Sequence, residues 1–243
     1  GAASTGQGRA ATLRDGRRVA LKVQYREARG QFAADFGNVA RLMRLTLPAM
    51  VPVVKTVRRR FASEFDYERE AENQAKLRRV LECNRRVRRR VTVPRPYPEL
   101  SSRRVLVMEL LEGEKLTARY ERRMRALLGD ERFERSRSEA VGRAAPQQPP
   151  ARLGRVRWAS LPRVLWLRRS TRRHVRLLLE VAALQIFEGG LFNADPHPGN
   201  VIMMHGGRLG LLDYGQCVQL DPVQQARLAE LTVLLAKGNA VHG

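Results

Sequence analysis

Two tight turns that carry oxygen donors at fixed spacing constrain this chain more than any other feature. The first turn runs from Asp195 to Asn200 through Pro-His-Pro-Gly, and Asp213 begins the second turn after a short apolar hairpin. Asp, Pro, Gly and Asn also build ordinary turns, but the paired spacing favours one common site over two unrelated turns. Carboxylate and amide oxygens suit Mg²⁺, which completes its coordination shell with water and phosphate oxygens. The sequence therefore predicts that these three side chains meet at a magnesium site, or that Asp195 instead accepts or orients a proton there.

The order of the two turns is also that of a known kind of catalytic centre. An Asp-x4-Asn element followed by an Asp-aromatic-Gly element is typical of phosphoryl-transfer enzymes of the protein-kinase type. In this chain the second element is Asp213-Tyr214-Gly215. The pattern therefore favours a phosphoryl-transfer site.

Lys22 is the only lysine among the first 54 residues, although arginine is the usual cation nearby. It lies in the apolar strand sequence VALKVQ, where a charge is costly unless it is paired. In protein kinases a strand lysine of this kind contacts nucleotide phosphates and pairs with a helix glutamate. The alternative is an edge-strand lysine whose ammonium extends to water. Glu64, Asp66 and Glu70 are the candidate partners, unless they form a solvated acidic patch; the last two are four residues apart on one helical face.

The opening sequence AASTGQGRA is rich in small residues. Such residues let backbone amides approach phosphate groups closely. A Gly-x-Gly pair is frequent by chance, so this segment supports a phosphate site only together with the other motifs.

Apolar periodicity and turn residues divide the chain into two parts. The first part has a predicted hairpin (9–13 and 17–24), helices over 32–47 and 63–81 with a proline-marked loop between them, and strands over 91–94 and 104–111. The second part has predicted helices over 115–128, 175–188 and 222–235 and a hairpin over 201–212. This pattern predicts an α+β, two-lobed fold with a cleft between residues 1–113 and residues 114–243.

The formal net charge is +22, and 41 of the 46 lysine and arginine residues are arginine. Residues 119–176 contain 17 arginines against five acids. Because guanidinium groups match phosphate, the charge points to nucleic acid or an anionic membrane surface; a composition bias on solvated faces is the alternative. Residues 122–173 also contain a Pro-, Gln- and Ser-rich stretch, and we expect them to form a flexible insert. Nucleic acid is the less favoured partner, since only Trp158 and Trp166 could stack near the charge.

Two broad classes of protein are excluded. Cys83 and Cys217 cannot build a disulfide framework, and neither has neighbours at zinc-ligand spacing. No stretch reaches the length of apolar sequence that a membrane span requires, so no transmembrane segment is expected.

Taken together, the motifs resemble the UbiB family of atypical, protein-kinase-like proteins, also called aarF-domain kinases. The matching pieces follow in family order over nearly the whole chain outside the expected insert: AASTGQGRAATL, VALKVQ, EFDYEREAEN, VPRPYPELSSRRVLVMELLEGEKL, LFNADPHPGNV and GRLGLLDYGQ. The resemblance implies a protein-kinase-like fold, and we expect this chain to be truncated at both ends relative to that fold.

The resemblance also implies roles for individual residues. ATP would be bound by the alanine-rich loop, the strand lysine, its helix partner and the segment that joins the lobes: Ala2, Ala3, Ser4, Lys22, Glu70, Met108 and Glu109. Asp195 corresponds to the catalytic aspartate, and Asn200 and Asp213 to the Mg²⁺ ligands. Glu64 and Asp66 match a Glu-x-Asp motif that is thought to restrain protein-kinase activity.

Members of this family resemble ATPases more than protein kinases and support the synthesis or handling of quinone lipids. The resemblance therefore implies an ATP- and Mg²⁺-dependent domain in a mitochondrion or chloroplast, peripheral to a membrane or attached to a quinone-synthesis complex. The alternatives are a pseudokinase-like module in which nucleotide switches binding at a membrane and, less favoured, an arginine-rich nucleic-acid binder.

Overall fold

The computed structural model describes residues 6–62, 65–141 and 161–239. Ala2, Ala3, Ser4 and Glu64, to which the resemblance gives roles in nucleotide binding or regulation, lie outside the described residues. The middle of the expected insert, residues 142–160, also lies outside them.

Strands and helices are mixed along the described chain. The strands are β1 (Gly6–Thr12), β2 (Arg18–Gln24), β3 (Val91–Thr92), β4 (Val105–Glu109), β5 (Gly113–Lys115), β6 (Leu191–Asn193), β7 (Val201–Met204), β8 (Leu209–Leu211) and β9 (Cys217–Gln219). The helices are α1 (Ala28–Thr46), α2 (Val51–Ala62), α3 (Tyr67–Cys83), α4 (Leu116–Leu128), α5 (Asp130–Val141), α6 (Leu161–Phe187) and α7 (Pro222–Asn239).

The first sheet is antiparallel, with strand order β1-β2-β4. The predicted hairpin forms β1 and β2, and Gly16 closes its turn at φ 85°, a left-handed conformation that glycine adopts without a steric penalty. Lys22 of β2 is paired with Leu106 of β4, and Ala20 is paired with Met108. The sheet therefore places Lys22 two positions along β2 from Ala20, which pairs with Met108 near the end of β4.

The helices between β2 and β3 differ from the sequence prediction. The proline-marked segment between the two predicted helices contains a further helix, α2, after a short 3-10 turn at Pro48–Met50. Pro52 lies in the first turn of α2, where a missing backbone N–H breaks no intrahelical hydrogen bond. Proline here marks the start of a helix and not a loop.

Most of the second part of the chain is helical, around a small second sheet with strand order β3-β8-β7-β5 and a separate β6-β9 pair. Strands β7 and β8 form the predicted hairpin. Helix α6 begins at Leu161, well before the predicted start at residue 175, and α5 covers residues 130–141. Described residues of the expected insert are thus largely helical.

Helix α3 connects the two cores. Tyr67 and Ala71, near its start, pack with Leu106 and Met108 of β4. Leu77 and Leu81, near its end, pack in a larger cluster with residues of α6 and of the second sheet. The protein therefore has the α+β, two-lobed, protein-kinase-like fold that the sequence predicts, and α3 is the element whose two ends pack in the two different cores. No helix in the described part of the chain is long and apolar enough to cross a membrane.

Candidate active site

Lys22 and Glu70 form a buried ion pair. The ammonium nitrogen of Lys22 lies 2.8 Å from Oε1 and 2.9 Å from Oε2 of Glu70. Their side chains are 12% and 1% exposed, and the ring of Tyr67 lies 5.0 Å from the ammonium. The prediction that an acid of this segment meets Lys22 is confirmed, and Glu70 is that acid.

The local sequence explains why Glu70 points inward. Asp66 is the N-cap of α3, where its carboxylate accepts a hydrogen bond from the Arg69 backbone N–H at 3.1 Å. Tyr67, Glu70 and Ala71 then share the face of the helix that packs on the first sheet. Asp66 thus has a structural role at the helix start, and its carboxylate also lies 3.8 Å from the Arg103 guanidinium.

Asp213 joins this pair from the second part of the chain. Its Oδ1 lies 3.4 Å from the Lys22 ammonium and accepts a hydrogen bond from the Gly215 backbone N–H at 3.1 Å. Its Oδ2 lies 3.4 Å from Nδ2 of Asn200. Lys22, Glu70, Asn200 and Asp213 therefore converge, although their sequence positions span most of the chain.

Asp195 lies five positions before Asn200 in the sequence and is exposed. Its carboxylate makes no hydrogen bond or ion pair with any residue that the structure describes. Its backbone N–H donates to Oδ1 of Asn193 at 2.9 Å, and Nδ2 of Asn193 donates to the Asp213 carbonyl at 2.8 Å. Asn193 thus ties the turn of Asp195 to the turn of Asp213, and the Asp195 carboxylate remains available to a substrate hydroxyl or water.

Burial and mutual attraction shift the pKa values within the cluster. Burial opposes the Lys22 charge, but attraction to Glu70 and Asp213 outweighs it and raises the pKa of Lys22 above its ordinary value. Burial raises the pKa of Glu70 to about 7 despite the nearby ammonium. For Asp213, burial is outweighed by Lys22 and by the Gly215 N–H, which lower its pKa. Because one ammonium serves two carboxylates, the more exposed one, Asp213, is the more readily ionised.

Asn200 and Asp213 fit a magnesium ion in their donor chemistry. The amide and the carboxylate face each other, and half a turn of the Asn200 amide would set its oxygen beside the Asp213 carboxylate, which gives two hard oxygen donors. Among the described residues, no three His, Cys, Asp or Glu side chains are grouped so that they could hold a metal ion. Such an ion would therefore need water or phosphate oxygens as its other ligands.

Met108 and Glu109 lie at the end of β4, where the resemblance places the segment between the lobes. The Met108 side chain is buried, and its sulfur lies 3.4 Å from Nε2 of Gln74. The Glu109 carboxylate accepts hydrogen bonds from Arg78 at 2.9 Å and from the Arg95 backbone N–H at 3.0 Å. The side chain of Glu109 is therefore hydrogen-bonded to α3 and to the segment between β3 and β4.

The sequence reasoning missed three residues that build the site: Tyr67, Arg78 and Asn193. Asn193 could have been found, since an amide two residues before Asp195 is well placed to fix the turn. Tyr67 and Arg78 had no comparable signal, because their roles depend on how α3 lies against the first sheet.

Tyr214 follows Asp213 and is 1% exposed. Its backbone carbonyl accepts a hydrogen bond from Asn73 at 3.3 Å. Its hydroxyl has no hydrogen-bond partner among the described residues, and burial raises the pKa of this phenol. The Asp-aromatic-Gly turn is therefore anchored in the larger core, at the cost of one unsatisfied hydroxyl.

Sequence comparison finds relatives over nearly the whole chain. A family model, the ABC1 atypical kinase-like domain, matches residues 1–139 and 160–242. The ABC1 family protein lscO of Purpureocillium lilacinum is 29% identical over 233 residues, which cover 90% of this chain and 34% of that protein. AarF domain-containing protein kinase 1 of Xenopus tropicalis is 28% identical over 229 residues, covering 88% and 34%. The chain thus spans about a third of the length of these two relatives.

Two further similarities concern a shorter region and the fold. The mitochondrial atypical kinase coq-8 of Caenorhabditis elegans is 37% identical over 123 residues, covering 48% of this chain and 16% of that protein. The solved structure of Rv3197 from Mycobacterium tuberculosis, in complex with erythromycin, superposes with a TM-score of 0.57 at 23% identity, covering 90% of this chain and 45% of that one. This second likeness concerns the fold alone.

The family model includes every motif that carried the resemblance and leaves out residues 140–159, which run from the last two residues of α5 toward the start of α6. Its match confirms the resemblance, and the chain belongs to the ABC1 atypical kinase-like family, also known as the UbiB or aarF family.

Proposed function

We propose that this chain is an ATP-binding, Mg²⁺-dependent phosphoryl-transfer domain that acts as an atypical kinase or as an ATPase. The observation that carries the proposal is the buried contact of Lys22 with Glu70 beside Asp213. A buried charge pair is rarely the best way to stabilise a fold, but an ammonium held at a cleft is suited to phosphate. The pairing of a strand lysine with a helix glutamate is typical of an assembled kinase nucleotide site.

Each residue of the cluster has a separate role in this proposal. Lys22 binds phosphate oxygens, and Glu70 keeps its ammonium oriented toward the cleft. Asn200 and Asp213 hold Mg²⁺, which neutralises charge on the phosphates when it is bound. Asp195 accepts or orients the proton of the attacking hydroxyl or water, and its free carboxylate is consistent with that role.

The remaining assignments form part of the same proposal. The adenine ring lies against Met108 and Glu109, whose main chain joins a lobe at 1–113 to a lobe at 114–243. The resemblance assigns Ala2, Ala3 and Ser4 to nucleotide binding as well. Glu64 and Asp66 are regulatory and restrain protein-kinase activity.

The biological setting that we propose follows from the family. The relative coq-8 is named as mitochondrial, and the family resemblance implies support of quinone-lipid synthesis or handling. We therefore place this protein at the periphery of an organellar membrane, in a mitochondrion or chloroplast, with a quinone-synthesis complex as partner. Because the chain covers only part of its relatives, this setting is a proposal for the whole protein.

Thermal-shift titration with ATP and ADP, with and without Mg²⁺, tests the proposal. Lys22→Arg keeps a charge beside Glu70 but replaces a compact ammonium with a planar guanidinium, and should abolish the nucleotide-dependent shift. Asp213→Asn should abolish the part of the shift that requires Mg²⁺. Lys55→Arg and Asp35→Asn, at exposed positions on α2 and α1, are the matched controls. They should leave the nucleotide-dependent shift and its Mg²⁺-dependent part unchanged.

The same experiment separates the proposal from its alternative. Nucleotide-dependent stabilisation together with phosphate release or transfer supports the enzyme. Stabilisation without release or transfer, under any acceptor and lipid condition tried, would replace it with the pseudokinase-like module. No shift in a cooperatively folded protein would contradict both.

A further inference from the structure

A groove lined by arginine runs along helix α6. Its volume is about 1030 Å³. Five arginines of α6 and one from the segment before β3 line it: Arg90, Arg168, Arg169, Arg172, Arg173 and Arg176. None of these residues belongs to the cluster around Lys22, so the groove is separate from the candidate active site.

The five α6 arginines are arranged in rows. Arg168, Arg172 and Arg176 are spaced by four residues, and Arg169 and Arg173 form a parallel row beside them. At helical rise the longer row extends about 12 Å. Like charges four residues apart repel each other and weaken a helix, so the arrangement has a structural cost that an anion would relieve.

The positive charge of the groove is almost unopposed. Glu180 is the single carboxylate among the lining residues, and it lies 3.6 Å from Arg90. The five α6 arginines that line the groove are exposed, and none of them is within ion-pair distance of a carboxylate in the part of the chain that the structure describes.

Arginines on neighbouring helices are mixed in this respect, and some of them are paired. Arg78 on α3 pairs with Glu82 and Glu109, and Arg125 on α4 pairs with two acids of α5. Others, such as Arg79 on α3 and Arg132 on α5, make no ion pair with any described residue, so a lack of pairing alone does not distinguish the groove. What distinguishes it is that five unpaired guanidinium groups of one helix line the same concave space. The concentration of unpaired guanidinium groups in one groove therefore favours a ligand.

Guanidinium chemistry defines the class of that ligand. Arginine binds phosphate through paired, charge-assisted hydrogen bonds. Two rows of guanidinium groups facing a concave space suit several phosphate groups held close together. We propose that the arginine groove binds a molecule with several phosphate groups, at a site distinct from the nucleotide site and independent of the function proposed above.

Calorimetric titration of the whole chain with inorganic tripolyphosphate, in the absence of Mg²⁺, tests this assignment. The variant Arg168→Gln/Arg172→Gln/Arg176→Gln should bind roughly tenfold or more weakly, and the salt dependence of its binding should fall by about one unit for each phosphate contact removed. The control Arg14→Gln/Arg41→Gln/Arg227→Gln removes the same charge from exposed positions on other elements and should bind as the unchanged protein does.

Two outcomes would overturn the assignment: no binding, or equal weakening in the two triple variants. Binding of a long oligonucleotide without binding of tripolyphosphate would also overturn it, because an extended phosphate backbone would then be required. Each of these outcomes is independent of whether ATP binds at Lys22.

A second arm identifies the source of the phosphate. Vesicles of phosphatidylcholine with and without an acidic phospholipid are mixed with the protein and sedimented. Sedimentation that needs the acidic lipid, is lost in the α6 triple variant and is displaced by tripolyphosphate would identify lipid headgroups as the source. Tripolyphosphate binding without such sedimentation would identify a soluble polyphosphorylated molecule, and the groove assignment holds in both cases.

Discussion

The cleft around Lys22 and the arginine groove on α6 are both charged, but the charge is buried and paired in the cleft and exposed and, among the described residues, largely unpaired in the groove. In the cleft, a single lysine is buried and bound by Glu70, with Asp213 beside it. In the groove, five guanidinium groups of one helix are exposed and lack carboxylate partners among the described residues. The cleft therefore contributes to the fold as well as to a site, whereas the groove adds charge that the fold does not use.

This difference shows that the position of a charged residue can be explained in two ways. A buried charge must be compensated within the protein, so its position is fixed by the residues that surround it. An exposed charge is compensated by water and salt, so its position says little until several of them form a pattern. The four predictions below compare the two regions, beginning with the largest expected effect.

Replacing Lys22 with methionine should lower the free energy of unfolding by about 3 kcal/mol, because Glu70 would remain buried without its ammonium. Urea denaturation at neutral pH measures this change. Lys55→Met, at an exposed position on α2, is the matched control and should change stability by less than about 0.5 kcal/mol.

A loss in Lys22→Met as small as that of the control would contradict the buried pair. The double variant Lys22→Met/Glu70→Met removes both partners and should recover part of the loss. That recovery distinguishes an unpaired buried carboxylate from a simple packing defect.

Replacing Tyr214 with phenylalanine should stabilise the protein by about 1 kcal/mol, since it removes a buried hydroxyl with no partner among the described residues. Thermal and urea unfolding measure this change. Tyr120→Phe is the contrasting variant, because the Tyr120 hydroxyl lies 2.7 Å from Nδ1 of His174, and it should destabilise. A destabilising Tyr214→Phe would indicate that the hydroxyl has a partner.

The pKa of His174 depends on the arginines near the groove. Burial lowers the pKa of His174, and Arg173, Arg119 and Arg90 lower it further. Between its lowered pKa and the ordinary value near 6.5, the unfolded chain binds a proton that the folded chain does not, so the His174 contribution to stability is lost as the pH falls.

The variant His174→Gln should therefore lose less stability than the unchanged protein when the pH falls below about 6.5. Because the ring is only half-buried, the difference should stay below about 1 kcal/mol. Urea midpoints measured across this pH range test the prediction, and identical pH profiles would contradict it.

Replacing Arg168, Arg172 and Arg176 together with glutamine should change stability by less than about 0.5 kcal/mol for each substitution. Glutamine has a helix propensity close to that of arginine, and the loss of like-charge repulsion should give a slight gain at low salt that disappears at high salt. Urea unfolding at two salt concentrations measures this effect. A large loss of stability would show that the groove belongs to the folded core in the way that the cleft does.

Much of the site could be predicted from the sequence, because turns and strands carry local signals. The spacing of Asp195, Asn200 and Asp213 identified the two turns, and the apolar strand around Lys22 indicated a paired ammonium. The start of α7 at Pro222 was predicted as well, and Asp221 caps this helix by accepting a hydrogen bond from the Gln224 backbone N–H at 2.8 Å. Each of these signals lies within a few residues of the feature it predicts.

Other features of the fold could not be predicted in this way. The prolines between α1 and α3 suggested a loop, but they stand at helix starts, where proline is compatible with both structures. Residues 168–174 of α6 are all polar and give no apolar periodicity, because the arginine rows there face the groove. Propensity and patterning describe a helix poorly when one of its faces serves something other than a core.

The sequence by itself determined which kinds of side chain form the candidate site, since their chemistry and spacing are written in short motifs. The residue spacing left open which acid meets Lys22, and only the resemblance named Glu70. The tertiary structure decided that Glu70 makes this contact, that Asn193 ties the two turns together, and that five α6 arginines and Arg90 line one groove. The physical reason is the separation along the chain over which each interaction acts. Turn chemistry and strand alternation act over a few residues, whereas the partner of a buried charge depends on sheet register and helix packing between segments far apart in the chain.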